Sequence, residues 1–246
     1  MENIIELNNV GFSAQEGKIV QDVSFKITTE KITAIVGPSG GGKSTVLKLS
    51  AGLLVPDQGE VLYKGKNVAH MNRAENLEFR RESAFVFQDS ALWANQDLFQ
   101  ILELPLRVHY PQMDKNERAK RIKEVTAEAG YKKNLNIRPS WLSMGEQKLI
   151  GFARAMLCNP SLLYLDEWVE SLDENSADRL INLVKKKQKE GATVMFVCHD
   201  MRIIKDIADF LVVIEDGKVV FNATKEQVIN DPELSNYLRQ FRKETA

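Results

Sequence analysis

One nine-residue stretch, GPSGGGKST from Gly37 to Thr45, constrains this chain more than any other. It follows the apolar run Ile32-Thr33-Ala34-Ile35-Val36. Beyond it Val46, Leu47, Leu49, Ser50 and Leu53 recur at helical spacing. A strand, a glycine-rich turn and a helix in that order match the phosphate-binding pattern G-x-x-x-x-G-K-[ST] in its proper context. Gly37, Pro38, Ser39, Gly40, Gly41 and Gly42 form a loop whose successive backbone N–H groups can face a phosphate chain. The helix that begins near Lys43 adds the positive end of its dipole, with Ser44 and Thr45 in its first turn. Lys43 is placed to reach the β- and γ-phosphates of a nucleotide, and the Ser44 hydroxyl to ligate Mg²⁺.

Such a loop needs a carboxylate for magnesium at the end of a neighbouring apolar strand. Leu162-Leu163-Tyr164-Leu165-Asp166-Glu167 supplies one. Two acidic residues directly after a buried strand stand at the carboxyl edge of a parallel sheet, where ligands bind. Asp166 is expected to orient the metal through water, and Glu167 to polarise a water molecule for attack on the γ-phosphate.

Composition sets the limits around this site. Of 246 residues, 43% are hydrophobic, enough for a sizeable core. Lys plus Arg number 33 against 34 acidic residues, so no electrostatic footprint for nucleic acid is expected. Cys158 and Cys198 have no metal-ligand spacing and suit a reducing compartment. The opening MENIIELNNV lacks the pattern of a signal peptide. No apolar run approaches the ~18 residues of a membrane span. The expected location is cytoplasmic, with any membrane contact made through a partner.

Along the chain, Ile4 to Val10, Ile19 to Ile27 and Ile32 to Val36 read as strands, as do Val61 to Tyr63 and Ala84 to Phe87. From about Asp89 to Leu157 the strand signal disappears. Asp114 with Glu117 reads as a capping box for a helix carrying Ala119, Ile122, Val125 and Ala129. Strands return at Leu162 to Leu165, Ala192 to Cys198 and Phe210 to Ile214, with a helix from Ser176 to Glu190 between them. Strands alternating with helices predict an α/β fold with a parallel sheet covered on both faces. Short helices are expected from Thr224 to Arg242. His70 and His109 read as surface residues, Cys198 as a buried strand residue, and Lys185-Lys186-Lys187 as a solvated helix face.

Trp141-Leu142-Ser143-Met144-Gly145-Glu146-Gln147, lying between the loop and Asp166, resembles the LSGGQ signature of ABC-type ATPases. Other landmarks of that family occur in order. Phe87-Gln88 is similar to the Q-loop, Ser171-Leu172-Asp173 to the D-loop, and Val197-Cys198-His199-Asp200 to the switch histidine. The resemblance implies a P-loop NTPase core with a mixed or parallel sheet, an N-terminal antiparallel β subdomain and an inserted helical subdomain. It implies one ABC ATPase domain over 1–246, divided as 1–88 core, 89–157 helical subdomain, 158–223 remaining core and 224–246 C-terminal tail. It implies two subunits packed head to tail, expected as two copies of this chain. Each ATP then lies between the P-loop of one and the Ser143–Gly145 segment of the other. Asp173 joins the nucleotide contacts. Gln88 senses metal and γ-phosphate, and His199 holds the γ-phosphate and the attacking water.

Some positions depart from the family pattern. Met144 replaces the first signature glycine, Glu146 takes the glutamine position, Leu149 stands for arginine and Trp168 for proline. The adenine-stacking slot falls to Phe12 or to Ala14, which cannot stack. None of these changes removes Lys43, Ser44, Asp166, Glu167 or His199. The segment after Gln88 is expected to meet an integral-membrane permease. From Phe87 to Arg107 it resembles the ATPases of Mce-type lipid transporters through Phe87, Gln88, Ala91, Leu92, Trp93, Pro105, Leu106 and Arg107. The expected function is ATP hydrolysis that powers a membrane transporter, with lipid as the leading cargo. A degenerate nucleotide-binding subunit with weak hydrolysis and a non-transport ABC ATPase are the alternatives.

Overall fold

The computed structural model describes residues 2–14 and 17–240. The chain begins with strands β1 (Asn3–Ala14), β2 (Gly17–Thr28) and β3 (Ile32–Val36). Helix α1 (Lys43–Ser50), β4 (Gln58–Tyr63), β5 (Lys66–Asn67) and α2 (Arg73–Glu82) follow. Next come β6 (Ser83–Val86), α3 (Leu98–His109), α4 (Lys115–Ala129), α5 (Met144–Met156), β7 (Leu162–Asp166) and α6 (Glu174–Lys189). The chain continues with β8 (Thr193–Val197), α7 (Met201–Ile207), β9 (Phe210–Glu215), β10 (Lys218–Thr224), α8 (Lys225–Asn230) and α9 (Pro232–Gln240). Two compact units emerge, Met1–Asn76 with Gly191–Ala246, and Leu77–Glu190.

The first unit holds an antiparallel sheet in the order β2-β1-β4-β5. In β2, Val23, Phe25 and Ile27 are buried while Ser24 and Lys26 are exposed, the alternation of a sheet with one wet face. Its second layer of strands runs β10-β9-β3-β8. Here β3 is parallel to both β8 and β9, and β9 is antiparallel to β10. Every residue of β3 and of β8 is buried, as a parallel strand covered on both faces requires. This is the expected α/β class with an antiparallel N-terminal sheet and a mixed one.

Strand β10 was not foreseen. Residues Lys218–Thr224 do carry a short apolar run, Val219-Val220-Phe221, and the turn before them sets its pairing. Glu215 faces Lys218 across two residues, Asp216 and Gly217, with φ of 47° and 74°. Asp-Gly with both φ positive is the tight hairpin turn that matches strand twist. The expected tail helices are α8 and α9; residues 241 and 242 of that stretch lie outside the described residues.

In the second unit β6 and β7 are parallel. The Asp114 side chain accepts from the amides of Asn116 and Glu117, and α4 ends on Gly130 at φ 103°, so the capping box read from sequence forms. Helix α3 has a capping box of its own, from Asp97 and Gln100. His109 departs from the surface expectation. It is half-buried, and its Nδ1 is buried without a hydrogen-bond partner. Burial, then the nearby Arg81 charge, holds its pKa below the usual imidazole value.

Trp168 is fully buried and stacks on Phe152, with ring centroids 5.9 Å apart. A stacked indole in the core contributes through both its area and its ring geometry. Trp168→Ala should therefore lower stability by about 3–5 kcal/mol. A urea titration should show the midpoint falling with an unchanged slope; an unshifted midpoint would mean that the ring carries no packing energy.

Candidate functional site

In the first unit the phosphate loop starts where β3 ends. Val36 is in register with Val213 of β9, so Gly37 lies against Ile214. Gly37 has φ 145°, and a Cβ there would stand 1.9 Å from the Ile214 carbonyl oxygen. Only glycine fits. Gly42 has φ 97° and is the N-cap of α1, with no side chain capping that helix. The loop is closed by short internal bonds. The Gly41 amide donates to the Pro38 carbonyl at 3.2 Å, and the Gly217 amide donates to the Gly41 carbonyl at 3.1 Å. Lys43 is buried, and its Nζ donates to the Pro38 carbonyl at 2.6 Å, inside the loop's curve. Ser39 and Gly40 at the tip are exposed, and a Cβ built on Gly40 meets nothing within 4 Å. A concave, exposed backbone tip, a lysine folded into it and a helix start capped by no side chain together fit a phosphate chain.

Ile35 is in register with Val197, so the carboxyl ends of β3 and β8 coincide. The loop and His199 therefore share one sheet edge. His199 is exposed, after the buried Cys198. Asp200 next to it caps α7 and pairs with Arg202 at 2.8 Å, which holds the Asp200 carboxyl below its usual pKa. The β1–β2 hairpin also reaches this loop: a Cβ on Gly42 would stand 2.9 Å from the Ile19 carbonyl oxygen. Phe12, half-buried, pairs with Val20 beside that contact, while Ala14 pairs with Gly17 at the exposed hairpin end.

In the second unit Val86 is in register with Leu165. One residue further, Phe87 follows β6 as Asp166 closes β7, so Gln88, Asp166 and Glu167 share one edge. Asp166 and Glu167 are buried, at 2% and 7% exposure. Glu167 has φ 45°, a left-handed conformation unusual for a residue with a Cβ. Its carbonyl accepts from the Glu170 amide at 3.3 Å and from Lys148 Nζ at 2.5 Å. Gln88 is exposed and its amide donates to Glu170 at 3.4 Å.

The Ser143 segment opens α5. Ser143 is the N-cap, its Oγ accepts from the Glu146 amide at 3.2 Å, and the Glu146 carboxylate accepts from the Ser143 amide at 2.9 Å. Glu146, read from sequence as a departure, is thus the fourth residue of a capping box. The Lys133 ammonium, at 2.6 Å, is the main cause that holds the Glu146 carboxyl below its usual pKa. Met144 is 68% exposed, and Trp141, three residues before it in sequence, is exposed as well. Gly145 faces Ser171 and Leu172, which brings the signature segment beside Asp173. Asp173 caps α6 by accepting from the Ser176 amide at 3.0 Å.

The segment after Gln88 is pinned to α5. Arg154 donates to the carbonyls of Ala91 and Ser90, at 2.6 and 3.0 Å. Trp93, Leu104 and Val108 stay exposed nearby in sequence.

A family model described as "ABC transporter" matches residues 20–170. The chain belongs to the ABC transporter family. This ABC chain is an ATPase, and its fold is that of the family's ATP-binding cassette. It is 34% identical over 230 residues to the methionine import ATP-binding protein MetN of Clostridium acetobutylicum, covering 93% of this chain and 71% of that one. It is 32% identical over 234 residues to the intermembrane phospholipid transport system ATP-binding protein MlaF of Haemophilus influenzae, covering 95% and 88%. Among solved structures it resembles the dimeric post-hydrolysis state of the ATP-binding cassette MJ0796 bound to ADP and Pi. There the TM-score is 0.83 and identity 29%, over 89% of this chain and 98% of that one.

Two residues at this ABC site have no role assigned from sequence. Glu170 partners Gln88, and Lys148 reaches Glu167. Lys148 did leave a signal, because it is a charged residue on a helix whose neighbours Leu149, Ile150 and Phe152 are all buried.

Proposed function

We propose that this ABC ATPase powers a membrane transporter as one of two copies packed head to tail, forming a single domain over 1–246 with 89–157 as its helical insertion. The phosphate loop carries the reading: Gly37 has no room for a side chain, and Lys43 is folded into the loop. Gly37 through Thr45 hold the phosphates of ATP, with Lys43 on the β- and γ-phosphates. Ser143 and Gly145 at the start of α5, with Asp173, offer the partner's ATP a hydroxyl, an amide and a helix N-terminus. Phe12 stacks on the base. His199 holds the γ-phosphate and the attacking water, and Glu167 takes a proton from that water.

The Ser44 hydroxyl, the Gln88 amide oxygen and the Asp166 carboxylate are hard oxygen donors that suit Mg²⁺. Among the described residues no three His, Cys, Asp or Glu side chains converge to hold a metal. When bound, Mg²⁺ neutralises charge developing on the β- and γ-phosphates.

Among the described residues no helix is long and apolar enough to cross a membrane. We place the chain on the cytoplasmic face, docked to a permease through the segment after Gln88, with no nucleic-acid partner. Lipid is the proposed cargo. It rests on residues 87–107 and is supported by the MlaF relative, whereas relatives of similar identity are named for methionine import or oligopeptide transport. Tagging the chain in its own cell, extracting membranes in mild detergent and identifying co-purifying proteins tests this. A polytopic membrane protein beside a lipid-binding partner is expected. An amino-acid or peptide permease would overturn the cargo, and soluble partners alone would overturn the transport role.

A further inference from the structure

Lys148 lies in the second turn of α5, only 5% exposed, and its Nζ reaches the main-chain carbonyl of Glu167 at 2.5 Å. A buried ammonium is costly unless it is paired and hydrogen-bonded. Burial holds its pKa below the usual ammonium value, and the fields of Glu170, Glu167, Asp166 and Asp89 oppose that shift. The carbonyl it holds belongs to a residue at φ 45°. A side chain keeps that conformation only where its surroundings over-determine it. The Glu170 amide supplies one restraint at 3.3 Å; the bond from the ammonium, charge-assisted, is the stronger.

We infer that Lys148 is a positioning residue for ATP hydrolysis, which clamps the Glu167 peptide in its left-handed conformation and so aims the Glu167 carboxylate. The inference rests on the proposed role of Glu167 as base. It also gives α5 a second task. The same helix presents Ser143 at its N-cap and holds Glu167 from its second turn, five residues apart in sequence. The signature segment and the base are therefore tied to one rigid element. Lys148 does not touch the reacting atoms; it acts through the backbone of Glu167.

The test is Lys148→Met, which keeps the length and bulk of the side chain and removes charge and donor. Loss of aim by an ångström costs about a hundredfold in rate. Turnover at saturating ATP should fall about 10- to 100-fold, with the KM for ATP within about twofold of wild type. In a Glu167→Gln background the same change should do nothing further, because residues that act through one another are not additive. Turnover within twofold of wild type, a raised KM with unchanged kcat, or an equal loss in the Glu167→Gln background would each overturn the inference. Should K148M fail to fold by thermal melting, K148A is read by the same criteria. If E167Q is inactive while K148M is normal, only this inference fails. If E167Q itself turns over at the wild-type rate, the base assignment fails and takes the inference with it.

Discussion

Glu167→Gln is expected to lower ATP turnover by about two to four orders of magnitude while ATP still binds. The substitution is nearly isosteric, so the buried slot at the end of β7 is refilled. What is lost is basicity: an amide cannot take a proton from the attacking water. The main-chain anchors of residue 167, from Lys148 and Glu170, do not depend on its side chain and should persist. The phosphate loop is untouched, so binding of a fluorescent ATP analogue should stay within a few-fold. With hydrolysis blocked, ATP should hold two chains together, and gel filtration with ATP should show the dimer. Phosphate release within threefold of wild type would remove Glu167 as the base. A wild-type chain with no measurable turnover would instead favour the degenerate nucleotide-binding subunit.

What could be read from the sequence was whatever is written in local order. Strand β3, the loop and the start of α1 were legible because an apolar run, glycines and helical spacing sit side by side. The same holds for β7, whose five buried residues end on Asp166. The Asp114 capping box was legible because its partners are three residues apart. The Ser143–Glu146 box carries the same signal and was passed over, because resemblance to the signature made Glu146 look like a replaced glutamine. Strands β1 and β2 proved longer than their apolar runs suggested. Their pairing continues through register shifts, with positive φ at Asn9 and Asp22, which a strict two-residue period does not anticipate. Lys148 was out of reach for a different reason. Its partner lies 19 residues away, and only the folded chain brings an ammonium from a helix to a carbonyl beyond a strand. His109 failed similarly, since its burial comes from packing and not from its neighbours in sequence.

Gly37→Ala should be the most damaging change in the phosphate loop, and Gly40→Ala a mild one, although both alter glycines of the same motif. At Gly37 the added methyl would stand 1.9 Å from the Ile214 carbonyl oxygen and 3.0 Å from its carbon. Both are main-chain atoms of β9, held by the register of Val36 with Val213, so neither can turn aside. Its φ of 145° is also closed to a residue with a Cβ. Either β3 separates from β9 or the loop abandons its curve. Overpacking and backbone strain together amount to roughly 2–6 kcal/mol. At Gly40 the methyl meets nothing within 4 Å, and only the φ of 76° is penalised, by about 1–2 kcal/mol. Urea midpoints and titrations with a fluorescent ATP analogue separate the two. G37A should unfold at much lower urea and bind ATP at least tenfold more weakly, while G40A stays folded with a midpoint lowered by no more than about 1 M. Equal midpoints for the two variants would mean that β9 does not press on the loop. The motif would then owe Gly37 to the phosphate alone; a large gap makes the residue a joint between sheet and loop, needed before any nucleotide arrives.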